Sequence, residues 1–416
     1  MDFASVVLLA SALAAPPETK ASGLPAAGDA AAEGSQVTFC RDIAPILQER
    51  CQKCHRPGEV APMPLLSYED ARPWARSIKK AVASRKMPPW HADPTYGKWK
   101  NDCRLSEGQI EKIVSWVDAG APEGDPAALP APRKFVEGWN IGEPDLVLTV
   151  PREFTVPAEG KVDYKYFSVP THFTEDRWIQ AAEARPGNRS VVHHILVFVM
   201  DRGQKNLGDG QELWSKHLCG TVPGAEADVF PPGTAKLIKA GSSLVFQIHY
   251  TTNGKETTDR SSIGLIFAKE PVKSRLTVSA LQNKRFRIPS GASSHEVTAQ
   301  TTIPEDVTVL SLMPHMHWRG KSFRYDAVFP DGRKETLLSV PSYDFGWQHT
   351  YRFAEPLKLP RGTRIECTAV YDNSAENKAN PDPSKEVRWG EQTWQEMMLG
   401  FITYTRDSEP IREWAF

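Results

Sequence analysis

The apolar residues of this chain recur at two different spacings, helical before Gly120 and alternating after about residue 144, so no single uniform architecture suits all of it. In the first part, Ile43, Ile46 and Leu47 form a short apolar face behind Asp42, which is placed to cap it, and Pro45 is tolerated in a first turn. Trp74, Ile78, Ala81 and Val82 form a second face. The third is the best marked. Ser106 and Gln109 have capping-box spacing, Ile110, Ile113, Val114 and Val117 share a face, and Gly120 stands where a helix-ending glycine belongs. Three helices within residues 37–122 predict a small all-α domain with little core for its size, the kind that borrows a cofactor or a staple.

Residues 123–143, with repeated Pro and Gly, read as an interdomain linker. Beyond them, runs rich in Val, Ile, Thr, Tyr and Phe predict strands over 144–150, 163–169, 190–200, 243–251, 262–268, 275–281, 306–313, 323–329, 335–340 and 363–371. Asn253-Gly254 and Asp331-Gly332 are hairpin signals. The expectation is multidomain: the α domain followed by two all-β sandwich domains, residues 144–270 and 271–416.

Composition narrows the function. Lys and Arg number 50 against 51 Asp and Glu, a net charge of −1, which gives no support to a nucleic-acid partner. No run reaches the roughly 18 apolar residues of a membrane-spanning helix. Phe3 to Ala15 has the length of a signal-peptide apolar region and contains Ala12-Leu13-Ala14, although Met1-Asp2 lacks the basic flank. Residues 1–36 therefore read as a signal-like leader and flexible tether.

Cys51-Gln52-Lys53-Cys54-His55 is the C-x-x-C-H pattern of c-type haem attachment: two thiols for thioethers and an imidazole for the iron. Half a zinc site would need further ligands at suitable spacing, and a redox dithiol has no use for His55. Met87, in Lys86-Met87-Pro88-Pro89-Trp90, is the expected sixth ligand, with Met63 and His91 competing. Helix, motif, Met loop and closing helix resemble a class I cytochrome c. Covalent haem attachment takes place outside the cytoplasm, which implies a periplasmic or secreted protein. Cys40 and Cys103 remain, and in an exported protein they can pair if their geometry allows.

The histidines of the β region form a pattern that core filling does not require. His315-x-His317 puts two imidazoles on one face of a strand, a ready chelate. Adjacent His193 and His194 point to opposite faces of a regular strand, so shared ligation requires a bulge or a strand end, and His249 can complete a three-imidazole group. Imidazole suits Zn, Cu, Fe and Ni; a thioether such as Met397 added to two imidazoles favours copper. A zinc hydrolase is the other reading, but His295-Glu296 is followed by Ala299 where H-E-x-x-H needs a second His. His172, His217 and His349, in irregular stretches, read as solvated or capping groups.

The order His193-His194, His249-Tyr250, His315-x-His317 and Glu396-Met397 resembles the copper type II, ascorbate-dependent monooxygenases, which include peptidylglycine α-hydroxylating and dopamine β-monooxygenases. The resemblance implies two jelly-roll-like lobes and two copper ions: one on His193, His194 and His249 for electron transfer, one on His315, His317 and Met397 for oxygen activation. Residues 37–122 look like the cytochrome module that some bacterial members carry in front. The implied function is hydroxylation of a C–H bond with O₂, with electrons arriving through haem c, ascorbate or another one-electron reductant, including an exported donor. Peptide-hydroxylating relatives hold the substrate carboxylate with an Arg and a Tyr where this chain has Met313 and Phe401, so a C-terminal glycine peptide is a poor expectation. The alternative is a haem and copper electron-transfer or redox-sensing protein without oxygenase activity; a third reading makes the histidines structural.

Overall fold

A computed structural model describes residues 36–407 apart from 60, 137 and 223–226. The expected leader, nearly all of the tether, and the tail containing Trp414 lie outside the described residues.

The helices fall where the spacing predicts, with two corrections. A π turn, Phe39–Ile43, runs into helix Ala44–Arg50. Asp42 lies inside this run and does not cap it; its carboxylate accepts from the Thr38 amide at 2.9 Å. The chain begins to coil a turn early because Phe39 packs on Tyr68 and Trp116. Helix Ala75–Ala83 buries Ala75, Ile78 and Val82. Trp74 belongs instead to the preceding 3₁₀ turn, whose tighter winding rotates it off that face, and it is 44% exposed. Helix Glu107–Asp118 carries the full capping box: Ser106 accepts from the Gln109 amide at 3.2 Å, and Gln109 accepts from the Ser106 amide at 2.9 Å. Gly120 takes a φ of +88°, the left-handed conformation that ends the helix.

Residues 123–143 are fastened rather than loose. The Phe39 and Cys40 amides donate to the Pro122 and Glu123 carbonyls. Arg133 donates to the Gln48 carbonyl at 2.8 Å, Arg56 sits over the Phe135 ring, and Asn140 bonds Glu183.

Strands are the predominant regular structure among the described residues. Among the described residues the strands form a nine-stranded sheet, two four-stranded sheets and two two-stranded pairs. All ten expected strands are present within a few residues, and several others join them, including Arg177–Arg185, Tyr351–Leu359 and Leu399–Arg406. Asp331-Gly332 turns a hairpin between Gly320–Val328 and Lys334–Val340. Asn253-Gly254 turns the chain too, but Thr257–Asp259 then pairs with Phe154–Val156 rather than folding back on its neighbour.

The long sheet runs through both β lobes. Its strands succeed one another as Leu146–Thr149, Ser262–Phe267, Arg177–Arg185, Thr234–Ile238, Ser274–Gln282, Leu399–Arg406, Val307–His315 and Tyr351–Leu359. The seam is a short parallel pairing of Ser274 and Arg275 with Thr234 and Ala235, next to the boundary expected near residue 270. One four-stranded sheet, containing Val192–Met200 and Ser243–Tyr250, shares a core with the first half of the long sheet through residues such as Val197, Phe246 and Leu265. The other, containing Gly320–Val328 and Arg364–Tyr371, does the same with the second half through Phe323, Leu312 and Ile402.

The exposed edge of Tyr351–Leu359 is covered by residues 98–101. Trp99 bridges Phe353, the Lys100 amide donates to the Arg352 carbonyl, and the Ala354 amide donates to the Lys98 carbonyl. An unpaired edge is thereby satisfied, and the helical segment is locked to the C-terminal lobe.

Candidate metal centre

Strand pairing builds the first histidine group. Along the ladder between Val192–Met200 and Ser243–Tyr250, Val192 opposes Tyr250 and His194 opposes His249, so His193 is the extra residue of a β-bulge. The bulge turns His193 to the side of its neighbour, the condition the adjacent pair required. Donor atoms of His193, His194 and His249 all lie within 4.8 Å of one another. The Nδ1 atoms of His193 and His194 are 3.1 Å apart. Two imidazole nitrogens bound to one ion at about 2.0–2.1 Å have about this separation. His249 Nδ1 is buried without a hydrogen-bond partner. Such an orphaned nitrogen is costly unless something is ligated there. Tyr164 packs against both His194 and His249, ring centroids 5.6 and 5.0 Å away.

The second group stands at the end of strand Val307–His315. Met313 and His315 share a face with Phe401 and Leu399, their partners in the ladder, while Leu312 and Met316 turn into the core. The rings of His315 and His317 are 5.2 Å apart and perpendicular. His315 Nδ1 meets Gln348 Oε1 at 2.7 Å, and His317 Nδ1 meets the Gln395 carbonyl at 3.2 Å. Both partners are oxygen acceptors, so each Nδ1 carries the proton and each Nε2 keeps a lone pair for a metal. Glu396 holds the turn: its two carboxylate oxygens accept from the His317 and Arg319 amides at 2.8 and 2.7 Å. Met397 follows directly, its carbonyl accepting from Tyr371 at 2.8 Å. Met398 is the core methionine.

Both groups are held neutral. Burial lowers the pKa of His249 and His315 to about 4 and of His317 to about 3, and neighbouring imidazoles push His317 the same way. His194 is driven well down by burial, then by His249, His193, His315 and His317. The two groups approach one another across a single ring. Phe345 stands between them, 5.7 Å from the His193 ring and 5.8 Å from the His317 ring. Lys161 of the first lobe lies over Trp394 of the second at 4.0 Å, closing the same junction.

At the cysteine motif, His55 Nδ1 meets the Met63 carbonyl at 3.1 Å, which leaves Nε2 as the free donor, as an iron-ligating histidine requires. Met63 therefore contributes its carbonyl here. Met87 begins the Pro88-Pro89 loop, and Pro89 accepts from Cys103 at 3.3 Å. Cys103 in turn adds, together with Cys54, to the burial that pushes Cys51 up to about 12. Pro89 is thereby placed beside Cys103, and Arg50, next to Cys51, donates to the neighbouring Asp102 carbonyl at 3.0 Å. The His91 ring packs toward His349 in the C-terminal lobe, 6.2 Å away. Cys40 and Cys103 do not pair, because Cys40 is sealed in the helical core while Cys103 sits by Pro89.

Two histidines expected to be solvated or capping are enclosed, His217 in part and His349 almost fully. His217 lies on strand His217–Thr221, and its burial lowers its pKa to about 3. His349 is enclosed by Trp90, Trp347 and Tyr351. His172 is exposed, with a φ of +57°. Sequence reasoning did not single out Gln348, Phe345, Tyr164 or Arg319. None has a motif; Gln348 adjoins His349, not the His315 it serves, and Arg319 stands two residues after His317.

No protein-family model matches the chain, and no curated protein matches it. Among solved structures it is similar to the STIV MCP, at 9% identity and a TM-score of 0.25 over 62% of this chain and 95% of that one. It is similar to PBCV-1 VP54, fitted into a reconstruction of the virophage Sputnik, at 6% identity and a TM-score of 0.23 over 68% and 99%. The VP2 subviral particle of infectious bursal disease virus follows at 8% identity and a TM-score of 0.20 over 65% and 74%. TM-scores this low carry no argument about fold or chemistry, so a functional reading stands on the side-chain geometry.

Proposed function

We propose that this protein is an exported, haem-linked copper monooxygenase that hydroxylates a C–H bond with O₂. The observation that carries the reading is the meeting of His193, His194 and His249 with His315 and His317 across Phe345, five imidazoles drawn from two lobes. Histidines kept for packing need not converge, nor present bare nitrogens to each other.

The three-imidazole group would hold one ion, and His315 and His317, completed by the Met397 thioether, a second. Copper bound there supplies one-electron redox chemistry and O₂ activation, and a covalent haem c on Cys51, Cys54 and His55, with Met87 as its sixth ligand, supplies reducing equivalents. Gln348 and the Gln395 carbonyl keep the Nδ1 protons of His315 and His317 in place, so both rings ligate through Nε2. Glu396 fixes the turn that aims His317. Phe345 puts an apolar ring between the two groups.

The substrate would meet an apolar wall. Met313 and Phe401 oppose one another beside His315, where an Arg and a Tyr hold the substrate carboxylate in peptide-hydroxylating relatives of the family resembled here. A desolvated carboxylate has no charge-assisted partner in that pair, which favours a neutral small molecule or an uncharged stretch of peptide. The reductant is ascorbate or another one-electron donor, the location periplasmic or secreted.

Trp214 packs edge-on against Phe401 at 4.6 Å, closing part of this wall, and that contact favours a second reading in which the same ligands serve electron transfer or redox sensing alone. Metal analysis and O₂ uptake separate the two. Two coppers and one haem per chain with substrate-dependent O₂ consumption support the oxygenase; a fully loaded protein that consumes no O₂ with any neutral substrate in a broad screen fails it.

A further inference from the structure

We propose that electrons from the haem motif reach the His315 and His317 donors through Cys103, Tyr351 and His349, so that haem electrons enter at the C-terminal lobe and not at the three-imidazole group. This inference rests on the reading above and adds the route. Its first step is sulfur: Cys103 packs against the core that contains Tyr351 and Trp90, and it lies near the motif, where Arg50, next to Cys51, donates to the Asp102 carbonyl at 3.0 Å and burial, with a smaller push from Cys54, holds the Cys51 and Cys103 thiols protonated.

Tyr351 is the hub. Its ring is 5.0 Å from Trp90, 5.5 Å from Trp99 and 6.1 Å from His349. Trp90 is also 5.7 Å from His349, so the hub and the histidine are in contact twice. From His349 one peptide bond leads to Gln348, whose side-chain oxygen meets His315 Nδ1 at 2.7 Å. Apart from the two contacts of Cys103, for which packing and charge are the measure, each step is a covalent link, a hydrogen bond or rings in van der Waals range, inside a core packed to crystal-like density.

The helical segment touches the other lobe as well, but differently. Glu59 and Arg189 approach to only 4.0 Å, and Arg189 is partly exposed. That is a screened surface ion pair, suited to docking.

One electron leaves ferrous haem, which becomes ferric, and reduces a cupric ion at His315 and His317 to cuprous. No bond breaks and no proton moves. The side chains along the way are close-packed medium for tunnelling and are not themselves oxidised. Burial holds the Tyr351 phenol protonated, which keeps it out of the redox cycle.

The test uses the full chain carrying covalent haem and two cupric ions, with the haem reduced anaerobically and followed by its absorbance while copper is followed by EPR. In Tyr351→Leu, reduction of the copper at His315 and His317 should slow at least about ten-fold, with copper content, haem spectrum and EPR parameters unchanged. His349→Leu should act alike and serves if Tyr351→Leu does not fold. Trp347→Leu removes a ring stacked on His349 but off the route, and should keep the rate within about two-fold. Equal rates in wild type, Tyr351→Leu and His349→Leu overturn the route alone, as does equal slowing in Trp347→Leu. Failure to bind haem or copper, or no transfer in the loaded wild type, overturns the functional reading and the route together.

Discussion

The ring of Phe345 stacks on the ring of His193, centroids 5.7 Å apart and planes 16° from parallel. Its edge meets His317 at 82°. A residue of the loop between strands Lys334–Val340 and Tyr351–Leu359 thus spaces an imidazole of each lobe. Phe345→Ala removes the spacer. The expected outcome is a changed dipolar coupling between the two cupric ions by EPR, with both still bound; an identical spectrum would show that the ring is passive.

Gln348 acts on His315 through the Nδ1 proton. Gln348→Leu leaves a donor without its acceptor and frees the ring to rotate. Copper affinity at His315 and His317 should fall about 10–100-fold while the three-imidazole group is unaffected. Competition against a chelator of known affinity, read separately for the two sites by EPR, measures both.

Haem attachment and copper binding should separate genetically. The helices and the two β lobes have apolar clusters of their own. Replacing Cys51 and Cys54 together with Ala is expected to abolish covalent haem on a denaturing gel while the β region keeps two coppers. Loss of copper in that variant would show that the lobes need haem to assemble.

His217 supplies a pH dependence. Its imidazole is buried against Phe198, with its pKa lowered to about 3 by burial and the neighbouring Lys236 cation. An unfolded histidine takes up a proton near pH 6.5, so the contribution to stability is complete above about 6.5 and lost as pH falls toward 3. By pH 5 the loss is about 2 kcal/mol. Thermal unfolding from pH 7.5 to 4.5 should show a steeper decline for the wild type than for His217→Phe; parallel declines would place the proton elsewhere.

Much of the architecture was legible because it is local. The capping box at Ser106 and Gln109 needs four residues, and the alternation of Val307–His315 needs nine. Trp74 and Asp42 were misplaced because a 3₁₀ turn and a π turn shift helical phase without a compositional mark. The Asn253-Gly254 turn was visible, but the strand it delivers belongs to Phe154–Val156, about a hundred residues earlier.

The site divides in the same way. The residues proposed to carry chemistry are written in the chain: the cysteine pair with His55, the adjacent His193 and His194, His249, and the alternating His315 and His317. Chain periodicity asks for a bulge or a strand end if His193 and His194 are to share an ion, since neighbouring residues of a regular strand face apart, and the strand pairing decides for the bulge. Only the tertiary structure decided which oxygen orients each imidazole, that Phe345 stands between the two groups, and that Cys103 lies beside the haem motif instead of bonding Cys40. Those relations join segments far apart in the chain, and they arise from burial and packing across strands, which leave no periodic signal in any one segment.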